Sequence, residues 1–307
     1  MHVPVICFEP FENESASSLL VRAASRLSPI PGIVIRHFLG DAEAVASAVH
    51  RHEAIKIVAD GLGLEPTVIE QAMVPRLGKH LGLGPFIVRM EDVDQTRRRV
   101  CPAVLRNDAR HGREPYQRLN WLIRVLRFDP DTGEPIVDRC GCGNDLLWYR
   151  TVRIDECPAC GSLLWDSAMT EETPEDAEAV HFLNWLFSGN AARRREARAS
   201  LPQALAGWSE ADLLEFFETL GFFSEPEVLM RMPRPDIEVW LRAVGIHAAL
   251  GGTGSIRELV ARAFDDPPAD ADRFWPTRRM AFANAAINRC RSPRARDFLS
   301  AQMRSFV

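Results

Sequence analysis

Apolar residues recur at helical spacing along most of the chain. Ser15 suits the capping position that precedes a helix. Leu19 and Ala23 then share one face, with Arg22 and Arg26 on the other, and the prolines that follow end the helix. The same periodicity predicts helices between 175 and 189 and over 191–201, 209–220, 236–250, 255–263 and 277–290. The pattern therefore predicts a mainly α protein with helical N-terminal and C-terminal domains.

A second helical pattern lies between these two regions. Helices are predicted over 33–39 and 41–50, and a glycine turn at 61–63 separates two short apolar stretches. Pro66 opens the second stretch, since the first helical turn leaves its N–H groups unpaired in any case. Helix, glycine turn and second helix resemble a helix-turn-helix. Its candidate DNA contacts are Thr67, Gln71, Arg76 and Lys79, and the glycine-rich stretch at 78–88 is interpreted as a loop.

Four cysteines form two pairs in the middle of the chain. Cys140 and Cys142 are one residue apart, Cys157 and Cys160 are two apart, and each pair has a glycine beside it. Four thiolates at this spacing suit the tetrahedral coordination of Zn²⁺. Strand-forming residues between the pairs, over 144–156, predict a short β-hairpin and hence a zinc ribbon. We expect one structural Zn in a closed site; disulfide bonding is the alternative, and it needs an oxidising compartment.

Composition limits the class of protein. With 307 residues, of which 46% are hydrophobic, the chain suits a globular protein of two or three domains. It has no run of about 18 apolar residues and no secretory signal, so we expect a cytoplasmic protein without a membrane partner. A net charge of −5 argues against a protein that wraps duplex DNA by itself.

The basic residues occur in short clusters. These clusters are 97–99, 193–195, 278–279 and the arginines of the C-terminal tail. Charge runs of this kind are more often solvated helix faces than phosphate sites. The second cluster is kept as a set of candidate DNA contacts, namely Arg193, Arg194 and Arg195.

Known catalytic motifs are absent from the sequence. The histidines are scattered, and neither HExxH nor GxSxG occurs. A zinc deaminase would need an HxE motif together with PCxxC, and the HxE motif is missing. We therefore expect a protein that is not an enzyme.

Several motifs resemble the TniQ family, which includes the TnsD-like target selectors of DNA transposition. The stretch ESASSLLVRAA at 14–24 is similar to the family's opening ESLxSxxxRxA. CPAVL at 101–105 resembles the family's CPxCL except at Val104, and Trp121 stands where the family has a tryptophan. The four paired cysteines follow its CxC and CPxCG motifs, and NWL at 184–186 follows its NWL. The resemblance covers about residues 3–190.

The resemblance implies an adaptor. Such a protein links target-site recognition, by its own DNA-binding domain or by a guide-RNA complex, to an AAA+ regulator of the transposase (TnsC-like). Some members act as homodimers. The expected domains are an N-terminal helical domain at 1–100, a zinc-ribbon region at 101–172 and a C-terminal helical domain at 173–307.

One departure from the family concerns metal content. The family's first zinc site uses CPxC and CxxH, whereas this chain keeps only Cys101 and has neither cysteine nor histidine over Asp129–Thr132. We expect this first site to be lost, with packing around Trp121 in its place. Two alternatives to the adaptor stay open: a zinc-ribbon and helix-turn-helix transcription regulator, and a TniQ-like protein repurposed outside transposition.

Overall fold

The structure is a computed structural model that describes residues 9–28, 59–60, 63–72, 74–166, 176–224, 235–262, 275–304 and 306. Most regular structure in these residues is helical, and this confirms the mainly α class. The helices predicted over 33–39 and 41–50 lie outside the described residues.

The regular elements of the described residues are helices, three short strands and three single-turn 3₁₀ helices. In chain order the helices and strands are α1 (Ala16–Leu27), α2 (Pro66–Ala72), β1 (Arg76–Leu77), β2 (His80–Leu83), β3 (Phe86–Arg89), α3 (Pro102–Arg110), α4 (Ala177–Leu186), α5 (Ala191–Ala199), α6 (Gln203–Ala206), α7 (Glu210–Gly221), α8 (Pro235–Leu250), α9 (Gly252–Arg262), α10 (Trp275–Arg289) and α11 (Pro293–Met303). The 3₁₀ helices are Met90–Asp92, Leu119–Leu122 and Trp148–Arg150.

Backbone proximity divides the chain into two compact units. Unit 1 comprises Met1–Thr173 and Phe187–Gly189, and unit 2 comprises Pro174–Leu186 and Asn190–Val307. The division into three domains stays a prediction. The four paired cysteines belong to unit 1.

Helix α1 confirms the first helix predicted from the sequence. The Ser15 hydroxyl oxygen accepts a hydrogen bond from the Ser18 N–H at 3.2 Å, so Ser15 is the N-cap as expected. Leu19 belongs to one buried cluster with Ile69 of α2. Arg22, which the sequence assigned to the outer face, is only 4% exposed, and that assignment is wrong.

A buried polar network explains the burial of Arg22. The Glu14 carboxylate accepts from the Ser18 hydroxyl at 2.8 Å and pairs with the Arg22 guanidinium at 2.5 Å. The Ser15 hydroxyl donates to the Gln117 side-chain oxygen at 2.7 Å. Burial raises the pKa of Glu14, and the charge of Arg22 counteracts this. Side chains of the motif at 14–24 therefore connect the start of α1 to the segment around Gln117, about one hundred positions later in the chain.

Strands β1 to β3 form an antiparallel sheet, so the loop predicted over 78–88 is wrong. Gly78-Lys79 joins β1 to β2, and Gly84-Pro85 joins β2 to β3. Two-residue hairpin loops require a positive φ, and the glycines have φ of 65° and 56°. Leu81 and Val88 pair across the sheet and are both buried. The glycines therefore mark tight turns, and the fold does contain short antiparallel strands, but they lie here and not in the predicted zinc ribbon.

The segment between the two cysteine pairs does not form the expected hairpin. Its only regular element is the 3₁₀ helix Trp148–Arg150. The first half of the segment bonds to a distant stretch instead: the Arg98 N–H donates to the Leu146 carbonyl at 2.6 Å, and the Trp148 N–H to the Thr96 carbonyl at 3.2 Å. Because these backbone groups are already paired, they are not available for a local hairpin.

Unit 2 contains the helices predicted for the C-terminal third. Ser209 caps α7 by accepting from the Asp212 N–H at 3.2 Å, at the start of the helix predicted over 209–220. Trp208, Phe216 and Phe217 are buried in the core; the Trp208 and Phe216 rings meet edge-on, and the Phe216 and Phe217 rings are tilted. Helix α9 begins at Gly252, three residues before the predicted start at 255, since glycine is tolerated in an exposed first turn.

Helices α7 and α8 approach closely at two glycines. A Cβ atom added to Gly245 would lie 1.9 Å from the Phe217 carbonyl oxygen, and one added to Gly221 would lie 2.1 Å from the Leu241 carbonyl oxygen. No other residue type fits at these positions without moving a helix backbone.

Candidate metal centre

The four paired cysteines bring their sulfur atoms together. All four Sγ atoms lie within 4.8 Å of one another. Cys140 Sγ and Cys160 Sγ are 3.9 Å apart, and Cys142 Sγ and Cys157 Sγ are 3.7 Å apart. Zn–S bonds of about 2.3 Å at tetrahedral angles place sulfurs about 3.8 Å apart, so these spacings fit a four-coordinate ion. They are far too long for a disulfide, whose S–S bond is about 2.05 Å.

The first cysteine pair lies on a tight backbone turn, knuckle 1 (Cys140–Asn144). The Cys140 N–H donates to the Asn144 carbonyl at 2.9 Å, and the Gly143 N–H donates to the Cys140 carbonyl at 2.8 Å. Gly143 has φ of 86°, which explains the glycine beside the thiols. The Asn144 side-chain amide donates to Cys142 Sγ at 3.3 Å. The turn thus places both thiols on one side, and Asn144 provides a hydrogen-bond donor for the sulfur of Cys142.

The second pair lies on knuckle 2 (Cys157–Ser162). The Cys157 N–H donates to the Ser162 carbonyl, and the Gly161 N–H to the Cys157 carbonyl, both at 2.9 Å. The Ala159 N–H points at Cys157 Sγ at 3.4 Å. A single antiparallel bridge closes the base of each knuckle, so the expected ribbon consists of two turns and no regular strands.

The electrostatics of the sulfurs differ between the surface and the interior. Hydrogen bonds from Asn144 lower the pKa of Cys142 to about 6, and hydrogen bonds from Ser162 lower the pKa of Cys160. Burial raises the pKa of Cys157 to about 11. The exposed thiols of Cys142 and Cys160 therefore lose their protons more easily than the buried thiol of Cys157, which an ion would draw into the thiolate form. Four soft ligands without an open position suit a structural Zn²⁺ and leave no place for an activated water.

Two adjacent arginines of unit 1 are buried, and the sequence interpretation missed them; Arg98 is the one that bonds beside the second cysteine pair. The run at 97–99 was interpreted as a solvated face, yet Arg98 is 0% and Arg99 7% exposed. Burial lowers the pKa of each to about 10, so both stay charged at neutral pH. Only Arg97 matches the expectation, with 40% of its side chain exposed beside Asp138. The sequence of three adjacent arginines does not show which of the side chains are buried.

The turn at 129–134 repeats the backbone pattern of knuckle 2 without its cysteines. In both turns the N–H of the first residue donates to the carbonyl of the residue five positions later. The N–H of the fifth residue donates to the carbonyl of the first, and all four bonds measure 2.7 to 2.9 Å. Both have a glycine of positive φ at the fifth position, 77° and 71°. The bridges that close the two turns have the same register. Asp129 therefore stands where knuckle 2 has Cys157.

Asp129 is the acceptor at the centre of this turn. Its carboxylate accepts from Trp121 Nε1 at 2.7 Å and from the Thr132 hydroxyl at 2.8 Å. Burial raises the pKa of the nearby Cys101 to about 12, so its thiol stays neutral. In the described part of the chain, the only group of three or more histidine, cysteine or acidic side chains placed to hold a metal ion is the four-cysteine cluster. Hydrogen bonds to the Asp129 carboxylate, one of them from Trp121, hold this turn together, and the loss of the first metal site stays a prediction.

The helix-turn-helix candidates for DNA contact lie on α2 and the start of the sheet. Thr67, Arg76 and Lys79 are exposed, and the side chain of Gln71 lies outside the described residues. The first helix of the predicted motif falls mostly outside them too. The assignment of these residues to DNA stays a prediction.

The second set of candidates lies on α5, in unit 2. Arg193 and Arg194 are half-buried, and Arg195 is exposed. Their role in DNA binding likewise stays a prediction.

Comparison with known proteins gives no assignment. No family model matches the chain, and no curated protein matches it. Within the described ranges, no helix combines the length and apolar character needed to cross a bilayer.

Proposed function

We propose that this chain is a TniQ-like, zinc-binding adaptor of DNA transposition. Its role would be to link a target-recognition module, or target DNA itself, to an AAA+ regulator of the transposase. Cys140, Cys142, Cys157 and Cys160 would hold one structural Zn²⁺, and the chain would carry out no chemistry of its own. Assembly as a homodimer is part of the proposal.

One observation supports the proposal most directly. Two of the motifs that carry the sequence resemblance have concrete structural roles in the same unit. Glu14, Ser18 and Arg22 form the network that fastens α1, and the four cysteines form the closed sulfur cluster. A closed cluster stabilises a scaffold and leaves the surface for partners, as an adaptor requires.

The test is recovery of partners by the full-length chain. A tagged chain is captured from its native cells with ATP and Mg²⁺, and bound proteins are identified by mass spectrometry. We expect an AAA+ ATPase or a transposase. The variant Cys157→Ser is the control, because it removes one ligand and should lose the same partners. Recovery of neither protein by the wild-type chain contradicts the adaptor.

A DNA-binding transcription regulator is the second candidate, and the exposure of Thr67, Arg76 and Lys79 favours it. The pure chain would then bind one DNA sequence without an ATPase. Fluorescence anisotropy against a randomised duplex pool measures this. Replacing Lys79 with Ala should weaken binding to all sequences and reduce the dependence on salt by about one counterion if it contacts a phosphate.

A further inference from the structure

Arg98 is a fully buried cation beside the candidate metal centre. Its side chain is 0% exposed. One guanidinium nitrogen donates to the Arg153 carbonyl, and the other donates to the Glu156 carbonyl at 2.6 Å. The Glu156 carbonyl precedes Cys157, so this bond holds the entry to knuckle 2. The remaining nitrogen, Nε, has no hydrogen-bond partner.

No carboxylate is paired with Arg98 in the described part of the chain, where its side-chain hydrogen bonds go to these two carbonyls. Asp155 interacts with Arg98 electrostatically, but Arg153 binds the Asp155 carboxylate at 2.8 and 3.1 Å. A buried ion costs several kcal/mol of desolvation unless an opposite charge offsets it. Carbonyl dipoles alone offset only part of this cost, so a further negative charge is required near the guanidinium.

The sulfur atoms provide that charge. After Asp155, the groups that interact most strongly with Arg98 are Cys157 and Cys140, the two buried cysteines of the cluster. Four thiolates around one divalent ion retain two negative charges, and the buried sulfurs cannot disperse them into water. A buried cation that shares Asp155 with Arg153 thus lies near buried sulfurs that would carry excess negative charge around a divalent ion.

We propose that Arg98 is the counter-charge of the metal-bound thiolate cluster and a positioning residue for knuckle 2. The proposal rests on the metal centre of the proposed function. It assigns Arg98 two effects. The positive charge stabilises the thiolates once the ion is bound, and the carbonyl hydrogen bonds fix the backbone that leads into Cys157.

Arg99 provides a matched control. It is also buried, and it also donates to backbone carbonyls, those of Trp121, Ile123 and Leu126. Its electrostatic partners are Asp138 and Asp94, with no cysteine among its main ones. Replacing Arg99 with Met removes the same charge and the same kind of hydrogen bonds from unit 1, away from the sulfurs.

The experiment measures Zn²⁺ affinity of full-length variants by competition with a chromophoric chelator. We expect Arg98→Met to weaken affinity about tenfold or more, in the range of other residues that support metal ligands. Arg98→Lys keeps the charge and should stay within about threefold of wild type. Arg99→Met should also stay within about threefold, although its melting temperature falls. If Arg98→Met fails to fold, Arg98→Gln replaces it, since it keeps a donor without the charge.

Co²⁺ substitution adds a readout that packing alone would not change. Loss of a positive charge near sulfur raises the energy of the sulfur electrons, so Arg98→Met should shift the sulfur-to-cobalt charge-transfer absorption to longer wavelength. Arg98→Lys and Arg99→Met should leave it in place. Equal loss of affinity in Arg98→Met and Arg99→Met, or in Arg98→Met and Arg98→Lys, overturns the counter-charge. A wild-type chain that binds neither ion overturns the metal centre itself.

Discussion

At the scale of single residues, two buried cysteines of unit 1 have different roles. Cys157 places its sulfur in the four-sulfur cluster. Cys101 lies beside the turn at 129–134, where its sulfur is 3.8 Å from the Glu134 carbonyl oxygen. Substitution should therefore separate a metal ligand from a core thiol of similar burial.

Cys157→Ser should abolish stoichiometric Zn²⁺ binding, while Cys101→Ala should keep one ion per chain. Because binding of a structural ion is part of the folding free energy, loss of the ion should lower the melting temperature of unit 1 by about 10 °C or more. The alanine variant leaves only a small cavity and should lose about 1 to 2 kcal/mol. Elemental analysis of purified protein and calorimetry measure both effects. Two ions in the wild type would contradict the assignment of the turn at 129–134 as metal-free.

The sequence located the ligands but not their surroundings. Cysteine spacing is a local property fixed by the geometry of a knuckle, so the four sulfurs could be predicted to meet. The burial of Arg98 depends on which distant segment pairs with 96–98, and no local pattern records that. The sequence could not identify the role of Asp129 either, because carboxylates are common in turns. Only the backbone hydrogen bonds show that Asp129 occupies the position that Cys157 has in knuckle 2.

At the scale of elements, the crossing of α7 and α8 depends on backbone contact at Gly221 and Gly245. Gly245→Ala should destabilise unit 2 by about 1 to 3 kcal/mol, as overpacking of a core does, because the new methyl group meets the Phe217 carbonyl. Gly254 in α9 is the control. A Cβ there meets nothing within 4 Å, so Gly254→Ala should be neutral or stabilise by up to about 1 kcal/mol. Urea unfolding followed by circular dichroism compares the two. Equal effects of both substitutions would refute the close crossing.

The N-terminus of α4 should respond to acid. Asp176 accepts from the Ala179 N–H at 2.9 Å and from His247 at 2.6 Å. Burial opposes ionisation of Asp176, but these bonds outweigh it and place its pKa below the usual value. The stabilisation is therefore present above the ordinary carboxylate pKa and is lost as pH falls through the lowered one.

Asp176→Ala should lower the free energy of unfolding by about 1 kcal/mol at pH 7, as for other helix caps. This deficit should shrink as pH falls below about 4, where wild type loses its own charge. Asp176→Asn keeps an acceptor for the Ala179 N–H and should lose less at pH 7. Urea titrations at several pH values provide the measurement. A deficit that does not change with pH would mean that the carboxylate charge plays no part.

The elements that were predicted correctly are helices in which apolar residues recur at helical spacing over several turns. Helices α1 and α7 bury most of their residues, and their caps at Ser15 and Ser209 are local signals. The sheet at 76–89 was missed because its strands have only two to four residues. Its closely spaced glycines suggest one continuous loop, although two of them mark the two-residue turns between the strands. The hairpin expected over 144–156 failed for the opposite reason: the strand-forming residues are present, but their backbone pairs with residues 96–98.

At the scale of the whole molecule, the metal centre and the helices of unit 2 belong to separate compact units. The bonds that surround the sulfurs, from Arg98, Leu146 and Trp148, all stay within unit 1. Removal of the ion should therefore act on one unit. This organisation suits the proposed adaptor, since a metal ion can stabilise one unit while helix packing stabilises the described part of the other.

Chelation of the full-length chain should expose unit 1 selectively. With a strong chelator present, backbone amides of residues 93–166 should exchange hydrogen at least about tenfold faster, because the knuckles lose the ion that offsets their ordering entropy. Amides of α7 should keep their protection, since the core of Phe216 and Phe217 contains no metal ligand. Hydrogen exchange read by mass spectrometry resolves the two regions in one sample. Gly245→Ala is the reciprocal control and should speed exchange in α7 while leaving the knuckles protected. Loss of protection in both regions under chelation would mean that the units fold as one, and the ion would then stabilise the entire chain.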